Sequence, residues 1–296
     1  MQPDKRIPEH ALVVATYDEF RPLVQAFADG HHESMNILGA GGVGKSETVR
    51  RIMQHTHGGI GWTLLKGKHT PLDLYARLYQ SRTKPIVLDD LDGLMRDPNN
   101  TAMLKCVCDT TPVKRVEWGS FHHAFRSTDE LLPKSFDSIS RVCAIANDFG
   151  TLNANLSAVQ DLGVLLSFCP DALEVHHEVA CGGWFDDEEV FDFVGQHLFL
   201  VLRPSFRLYM TARNHKKSGV DWKSLVLRML ARETDARLLL VARLLADPKY
   251  DTQSAPEAAR ESSFKQQGGG SRATYHRYKR TTSYSCRDAR KPSDGT

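Results

Sequence analysis

The chain has 296 residues, of which 41% are hydrophobic and 25% are charged, as is usual for a globular protein. Its formal net charge of +2 is too small to indicate a polyanionic partner by itself. No apolar run approaches about 18 residues and no apolar signal core follows the N-terminus, so we expect neither a membrane span nor export. These features predict a cytoplasmic protein.

A phosphate-binding pattern stands near the start of the chain. Residues 39–46 fit G-x-x-x-x-G-K-[ST], between a candidate strand at Ser34–Leu38 and a candidate helix at 47–53. The glycines allow the backbone to wrap closely around a phosphate, Lys45 would reach the β- and γ-phosphates, and Ser46 would ligate Mg²⁺. We therefore predict a nucleoside triphosphate and Mg²⁺ as cofactors, and the resemblance given below implies that the nucleotide is ATP. The predicted binding residues are Gly39, Ala40, Gly41, Gly42, Val43, Gly44, Lys45, Ser46 and Glu47.

Short apolar strands alternate with helical stretches after this loop. The strands are predicted at 62–66, 86–90, 141–147 and 164–168, with a further short strand at 114–118 inside a mixed, loop-like segment at 112–138. Helices are predicted at 72–79 and 101–109 between them. This alternation predicts an α/β fold with a parallel sheet flanked by helices.

Strand patterns become rare beyond residue 171. Helices are predicted at 172–180, 187–197, 205–215 and 221–246, which together form a small all-helical subdomain. We therefore predict three parts: a P-loop core at 1–170, the helical subdomain at 171–247, and a linker with a basic tail at 248–296.

Two acids end the apolar strand at 86–90. Asp89 lies 43 residues beyond Ser46, where it would hold the Mg²⁺ shell, usually through water. Asp90 would orient or deprotonate the attacking water, and Asp92 is a weaker candidate for that role. The alternative is a strand end capped by solvated acids.

A polar amide, Asn147, ends the strand at 141–147. It could position the attacking water against the γ-phosphate. The alternative is an ordinary turn-forming Asn before an Asp.

The order of these segments resembles the AAA+ ATPases over roughly residues 10–245. In that family they are Walker A, Walker B, sensor 1 and a helical lid. The resemblance implies that Arg207 is the sensor 2 arginine, which touches the γ-phosphate and couples nucleotide state to lid angle. A surface helix arginine is the alternative.

The chain departs from the common family pattern in two places. Walker B usually ends in Asp-Glu, whereas Asp89-Asp90 resembles the initiator and helicase-loader branch. The family also implies an arginine finger near the strand after sensor 1, but residues 160–163 read Gln-Asp-Leu-Gly. Arg126 and Arg141 remain as candidates, and a homo-oligomer or a partner protein could supply the finger.

Basic residues concentrate at the C-terminal end. Residues 261–296 hold eight Lys/Arg against three acids. A short helix at 262–267, a turn at 268–270 and a helix at 272–280 with Ser271 as N-cap resemble a helix-turn-helix. Its predicted DNA contacts are Arg272, Thr274, Arg277, Lys279 and Arg280. A solvated, disordered basic tail is the alternative.

These features predict an ATPase that acts on or with DNA, of the kind seen in mobile-element or replication accessory ATPases. Lys45, Asp90, Asn147 and Arg207 are the predicted catalytic residues, and Ser46 and Asp89 are the predicted metal ligands. A non-hydrolysing, nucleotide-gated switch that binds DNA or a protein partner is the alternative.

Overall fold

The computed structural model describes the chain in segments that form two compact units, Met1–Pro170 and Asp171–Thr296. The described residues are 10–90, 94, 97–118, 126, 127, 130–147, 163–201, 203–231, 236–252 and 254–288. Asp92 and residues 160–162 therefore lie outside the described residues, as do residues 289–296 of the basic tail.

A parallel sheet forms the centre of the first unit. In the described part of the chain its strands are β1 (Leu12–Val14), β2 (Ser34–Leu38), β3 (Thr63–Lys66), β4 (Ile86–Asp89), β9 (Val142–Ala146) and β10 (Val164–Phe168). They lie in the order β1-β10-β2-β9-β4-β3, and every neighbouring pair is parallel. The predicted α/β fold with a parallel sheet is confirmed.

The central strands consist almost entirely of buried residues. Every residue of β2, β4 and β9 is buried, which suits a parallel sheet that is covered on both faces. Four helices accompany the sheet in the described segments: α1 (Tyr17–Ala28), α2 (Lys45–His57), α3 (Pro71–Gln80) and α4 (Pro98–Val107). The fold is therefore that of an α/β P-loop NTPase.

The first strand and helix were not predicted from the sequence. Strand β1 is only three residues long, and Leu12 and Val13 are exposed, so it lacks the fully apolar pattern of the inner strands. Helix α1 begins after Thr16, whose hydroxyl accepts a hydrogen bond from the Glu19 amide. Its apolar face is buried through Phe20, Val24 and Phe27.

The segment at 112–138 contains more strand than the loop-like prediction allowed. Strand β5 (Lys114–Glu117) pairs with β8 (Ser135–Ser138) in an antiparallel sheet, and β6 (Arg126–Ser127) pairs with β7 (Glu130–Leu131). The pairing of β5 with β8 joins residues far apart in sequence. Val116 and Phe136 face each other across this pair and are buried, which is a reason for the pairing.

The described residues of the second unit form helices joined by turns and loops, with no strand among them. Its α-helices are α5 (Ala172–Cys181), α6 (Glu188–Gln196), α7 (Phe206–Lys217), α8 (Trp222–Ala231), α9 (Ala236–Ala246), α10 (Pro256–Gln266) and α11 (Arg272–Asp288). Short 3₁₀ turns lie at Leu198–Leu200 and Pro248–Tyr250. Along the described residues of both units, no helix has the length and apolar character needed to cross a membrane.

Helices α10 and α11 are joined by a glycine turn at 268–270 and pack together against α9. Phe264 and Tyr275 are fully buried, and their rings meet with centroids 5.5 Å apart. The turn needs glycine, because a Cβ at Gly269 would lie 2.3 Å from the Phe264 ring. Ser271 caps α11 by accepting a hydrogen bond from the Thr274 amide. Residues 272–280 therefore belong to a helix whose apolar side is buried at Tyr275.

Candidate functional site

The loop at residues 39–44 can be built only because several of its positions are glycine. Gly39, Gly42 and Gly44 have φ angles of +155°, +89° and +84°, which side chains rarely adopt. A Cβ at Gly39 would also lie 2.1 Å from the Phe168 carbonyl oxygen. The loop ends at the N-terminus of α2, where backbone N–H groups lack helical partners and can bind an anion.

Lys45 is a buried cation in the first turn of α2, with only 4% of its surface exposed. Its Nζ donates hydrogen bonds to the carbonyl oxygens of Gly39 and Ala40, at 2.6 and 2.7 Å, and to Asn147 Oδ1 at 3.4 Å. These hydrogen bonds hold the ammonium group beside the glycine loop, where a bound phosphate would lie.

Ser46 and Asp89 are in direct contact. Ser46 Oγ donates a hydrogen bond to Asp89 Oδ1 at 2.7 Å, although 43 residues separate them. The other carboxylate oxygen, Oδ2, pairs with Lys66 Nζ at 2.9 Å. Asp89 is the last residue of β4, so the sheet places its carboxylate at the edge from which the loop leaves β2.

Asp90 is exposed and has a φ angle of +68°, the one positive φ recorded among the described non-glycine residues. Asp tolerates this left-handed region better than most residues, because its short side chain can bond locally. Such backbone conformations cluster at functional sites.

Asn147 follows β9, which lies between β2 and β4 in the sheet. This strand order brings the amide between the glycine loop and Asp89. A Cβ at Gly41 would lie 3.6 Å from Asn147 Oδ1, and Lys45 donates to the same oxygen. Residues from three neighbouring strand ends thus converge on one site.

Two aromatic residues that support the loop were not predicted from the sequence. The Tyr17 hydroxyl of α1 donates a hydrogen bond to the Val43 carbonyl at 2.8 Å. The Tyr17 ring meets the Phe168 ring edge to face, with centroids 5.1 Å apart. Thr16 and Glu19 form a helix-start pattern that could have located α1, but no local pattern indicates which loop Tyr17 contacts.

The residues of this site fit a magnesium nucleotide. A hydroxyl and a carboxylate, from Ser46 and Asp89, are the oxygen ligands that Mg²⁺ prefers. The glycine loop, the start of α2 and Lys45 supply the donors that phosphate oxygens accept.

The remaining predicted site residues belong to other elements of the chain or fall outside the described part. Arg207 is exposed in the first turn of α7 in the second unit, where its backbone N–H donates to Ser205 Oγ at 3.1 Å. Arg141, a candidate finger, lies at the start of β9 and donates to the Ala28 carbonyl at 3.4 Å. Asp92 and the segment 160–162 are not described.

The predicted DNA contacts all lie on α11: Arg272, Thr274, Arg277, Lys279 and Arg280. Two of them form ion pairs with α10, in which Arg272 meets Glu261 at 3.1 Å and Lys279 meets Glu257 at 2.6 Å. Arg277 is exposed and lies over the Tyr278 ring, and Arg280 is exposed as well. These glutamates partly neutralise the first and third turns of the basic face.

Comparison with known proteins gave structural matches alone. No protein-family model matches the chain, and no curated protein matches it. Thirty-nine solved chains match it in structure. One is NtrX from Brucella abortus in complex with ATP, which is 15% identical, has a TM-score of 0.36, and is matched over 95% of this chain and 70% of that chain. The fold assignment rests on the sheet order and the glycine loop described above.

Proposed function

We propose that this protein binds ATP with Mg²⁺ at the glycine loop and hydrolyses the bond to the γ-phosphate. The observation that carries this proposal is the meeting of Lys45, the Ser46–Asp89 pair and Asn147 at three neighbouring strand ends. Each group has the chemistry that a triphosphate, its metal ion or the attacking water requires.

Each side chain has a distinct task in the proposed reaction. Lys45 Nζ gives up its hydrogen bonds to the loop carbonyls and donates to β- and γ-phosphate oxygens instead, where it stabilises the negative charge that develops during the reaction. Ser46 and Asp89 hold the metal, which supplies further charge neutralisation. Asn147 orients the attacking water and Asp90 accepts its proton, so that the products are ADP and inorganic phosphate.

The test is ATP turnover by the purified protein beside the Asp90→Asn variant, with Asp137→Asn as a control for an exposed acid outside the site. We expect turnover in the wild type and the control, and a loss of about 100-fold or more in Asp90→Asn. Unchanged turnover in Asp90→Asn would remove Asp90 from the mechanism.

The second candidate is a nucleotide-gated switch that binds ATP without hydrolysing it. The observation that favours it is the exposed, left-handed position of Asp90, whose side chain is one methylene shorter than the Glu of the usual Walker B. ATP binding without turnover in the wild type, unchanged in Asp90→Asn, would select the switch.

We also propose that α11 contacts the phosphate backbone of DNA, as expected for a replication or mobile-element accessory ATPase in the cytoplasm. Its support is the exposed pair Arg277 and Arg280 on a capped helix within a helix-turn-helix. Deleting residues 261–296 is a poor test, because Phe264 and Tyr275 are core residues.

A charge reversal tests DNA contact without removing the core. We expect Arg277→Glu/Arg280→Glu to abolish a salt-dependent binding to duplex DNA that also stimulates ATP turnover in the wild type. The control Lys217→Glu/Arg228→Glu changes net charge equally at exposed positions of the same unit. Equal binding by both variants would contradict the proposal.

We propose that Arg207 contacts the γ-phosphate. We also propose that a homo-oligomer or a partner protein supplies an arginine finger. What supports the first is the exposed guanidinium in the first turn of a capped helix. Arg207→Ala should weaken binding of ATP more than that of ADP, because ADP has no γ-phosphate. Turnover per chain that rises with protein concentration would support an arginine finger supplied between copies.

A further inference from the structure

Lys66 is a second cation at the metal-binding edge, and the resemblance to known ATPases does not account for it. Strands β3 and β4 pair in parallel with Lys66 opposite Asp89. The side chains follow this register, since Lys66 Nζ lies 2.9 Å from Asp89 Oδ2. Ser46 Oγ bonds the other oxygen, so both oxygens of the Asp89 carboxylate have a partner.

We propose that Lys66 is a positioning residue that neutralises Asp89 in the nucleotide-free protein and is displaced by Mg²⁺. Lys66 therefore sets the concentration of Mg²⁺ at which the nucleotide binds. This inference rests on the proposed function, because it requires the Ser46–Asp89 pair to be the metal site.

The reason is competition between two cations for one carboxylate. The ammonium group of Lys66 and a divalent ion both gain from Asp89, and they repel each other at short range. The Asp89 side chain is only 12% exposed, which limits the room around it. A metal ion that approaches Oδ2, directly or through a bound water, meets the lysine there.

Exposure decides which cation moves. The Lys66 side chain is 67% exposed, so its ammonium can turn into water at little cost. Exposed ion pairs are weak and are screened by salt. We therefore expect Lys66 to lower metal affinity by up to about fivefold, which corresponds to about 1 kcal/mol, rather than to block the site.

The displaced ammonium can then face the phosphates. Once Mg²⁺ neutralises Asp89, Lys66 has lost its partner and lies beside the site that binds the triphosphate. The exchange would make Lys66 a counter-charge for Asp89 in one state and for the phosphates in the other. Binding of ATP in EDTA, where no metal displaces Lys66, separates these two roles.

The experiment measures binding of a fluorescent ATP analogue as a function of Mg²⁺ concentration, with no turnover needed. The variants are Lys66→Met, which removes the charge, and Lys66→Arg, which keeps it. Lys68→Met is the matched control, because Lys68 is an exposed lysine two residues further along. Thermal melting of each variant checks that it is folded.

We expect Lys66→Met to lower the Mg²⁺ midpoint by two- to fivefold, with the wild type, Lys66→Arg and Lys68→Met alike. In EDTA, Lys66→Met should bind the analogue no more tightly than the wild type. An unchanged or raised midpoint in Lys66→Met would overturn the inference while leaving the proposed function intact. Absence of Mg²⁺-dependent binding in all four proteins would overturn both.

Discussion

A buried lysine lies near each end of strand β2, Lys114 from β5 and Lys45 from α2, and the two lysines have different partners. At the amino end, Lys114 is 2% exposed and its Nζ donates to the Glu33 carboxylate at 3.0 Å and to the Ser140 carbonyl at 2.8 Å. At the carboxyl end, Lys45 is 4% exposed and bonds two carbonyls of its own loop and the Asn147 amide. Equal burial therefore does not imply an equal role.

The surroundings of the two lysines explain the difference. Around Lys114, Ser140 Oγ donates to the Ser81 carbonyl at 2.6 Å and ties the start of β9 to the end of α3. Around Lys45 the backbone is a glycine loop whose carbonyls can be exchanged for phosphate oxygens. We infer that Lys114 stabilises the fold, whereas Lys45 is held ready for a ligand.

The largest effect that tests this contrast is expected from Lys45→Met. Loss of a charge-assisted contact to two phosphates should weaken ATP binding by about 100-fold or more. The free energy of unfolding should stay within about 0.5 kcal/mol or rise, because a buried cation has been replaced by an apolar chain of similar length. Calorimetric binding and urea unfolding measure the two quantities.

Lys114→Met is the matched control, and the opposite result is expected. ATP affinity should be unchanged, and the free energy of unfolding should fall because Lys114 stabilises the fold. The comparison would fail if both variants lost ATP binding to the same degree.

Glu33→Gln is expected to have the next largest effect. It leaves the fully buried Lys114 ammonium without its carboxylate. Breaking a buried pair costs about 3–5 kcal/mol, and we expect about 2–3 kcal/mol here because Glu33 is one-third exposed. Urea unfolding should show the loss while ATP affinity is retained.

The control is Glu117→Gln, which removes an exposed partner of Arg115 and should change the free energy of unfolding by less than about 0.5 kcal/mol. Equal losses in Glu33→Gln and Glu117→Gln would mean that Lys114 does not need its carboxylate.

The contacts at the two ends of β2 differ in how well they could be predicted from the sequence. The glycine loop and Asn147 each follow a short apolar strand, and Asp89 ends another. Because the carboxyl ends of parallel strands lie at one edge of a sheet, these residues could be expected at the same edge. The pairing of Lys114 with Glu33 could not, because 81 residues separate them and β5 lay in a segment with weak patterns.

The register between neighbouring strands was the main feature that could not be predicted from the sequence. Lys66 was predicted as the end of a strand, but only the pairing of β3 with β4 places it on Asp89. Likewise, Tyr17 belongs to a helix whose start has a local pattern, yet its contact with Val43 depends on how α1 packs. Local patterns placed the candidate site residues at strand ends, and tertiary packing determined the contacts around them.

A smaller effect is expected from Tyr17→Phe, which tests whether the loop at the carboxyl end is held from outside. The change leaves the buried Val43 carbonyl without the hydroxyl, at a cost of about 1–2 kcal/mol. Because Val43 lies in the loop, we expect ATP affinity to fall by about three- to tenfold.

The control for this change is Tyr75→Phe, which removes a similar bond to the Pro133 carbonyl, of 2.7 Å, away from the loop. It should reduce the free energy of unfolding to a similar degree without changing ATP affinity. Equal affinity losses in the two variants would assign the effect to general instability.

No loss of stability is expected from Gly41→Ala, which tests whether this glycine serves binding rather than folding. A Cβ there makes only an ordinary contact, 3.6 Å from Asn147 Oδ1, and the residue has no positive φ that would be strained. The free energy of unfolding should therefore be unchanged or rise by up to about 1 kcal/mol, since alanine restricts the unfolded chain. ATP affinity should nevertheless fall, because the methyl group lies between the loop and Asn147.

Gly39→Ala provides the contrast. Its Cβ would lie 2.1 Å from the Phe168 carbonyl oxygen at a φ of +155°, so measurements of unfolding and of ATP affinity should both show a loss. A loss of stability in Gly41→Ala as large as that in Gly39→Ala would contradict the proposed separation of binding from folding at Gly41.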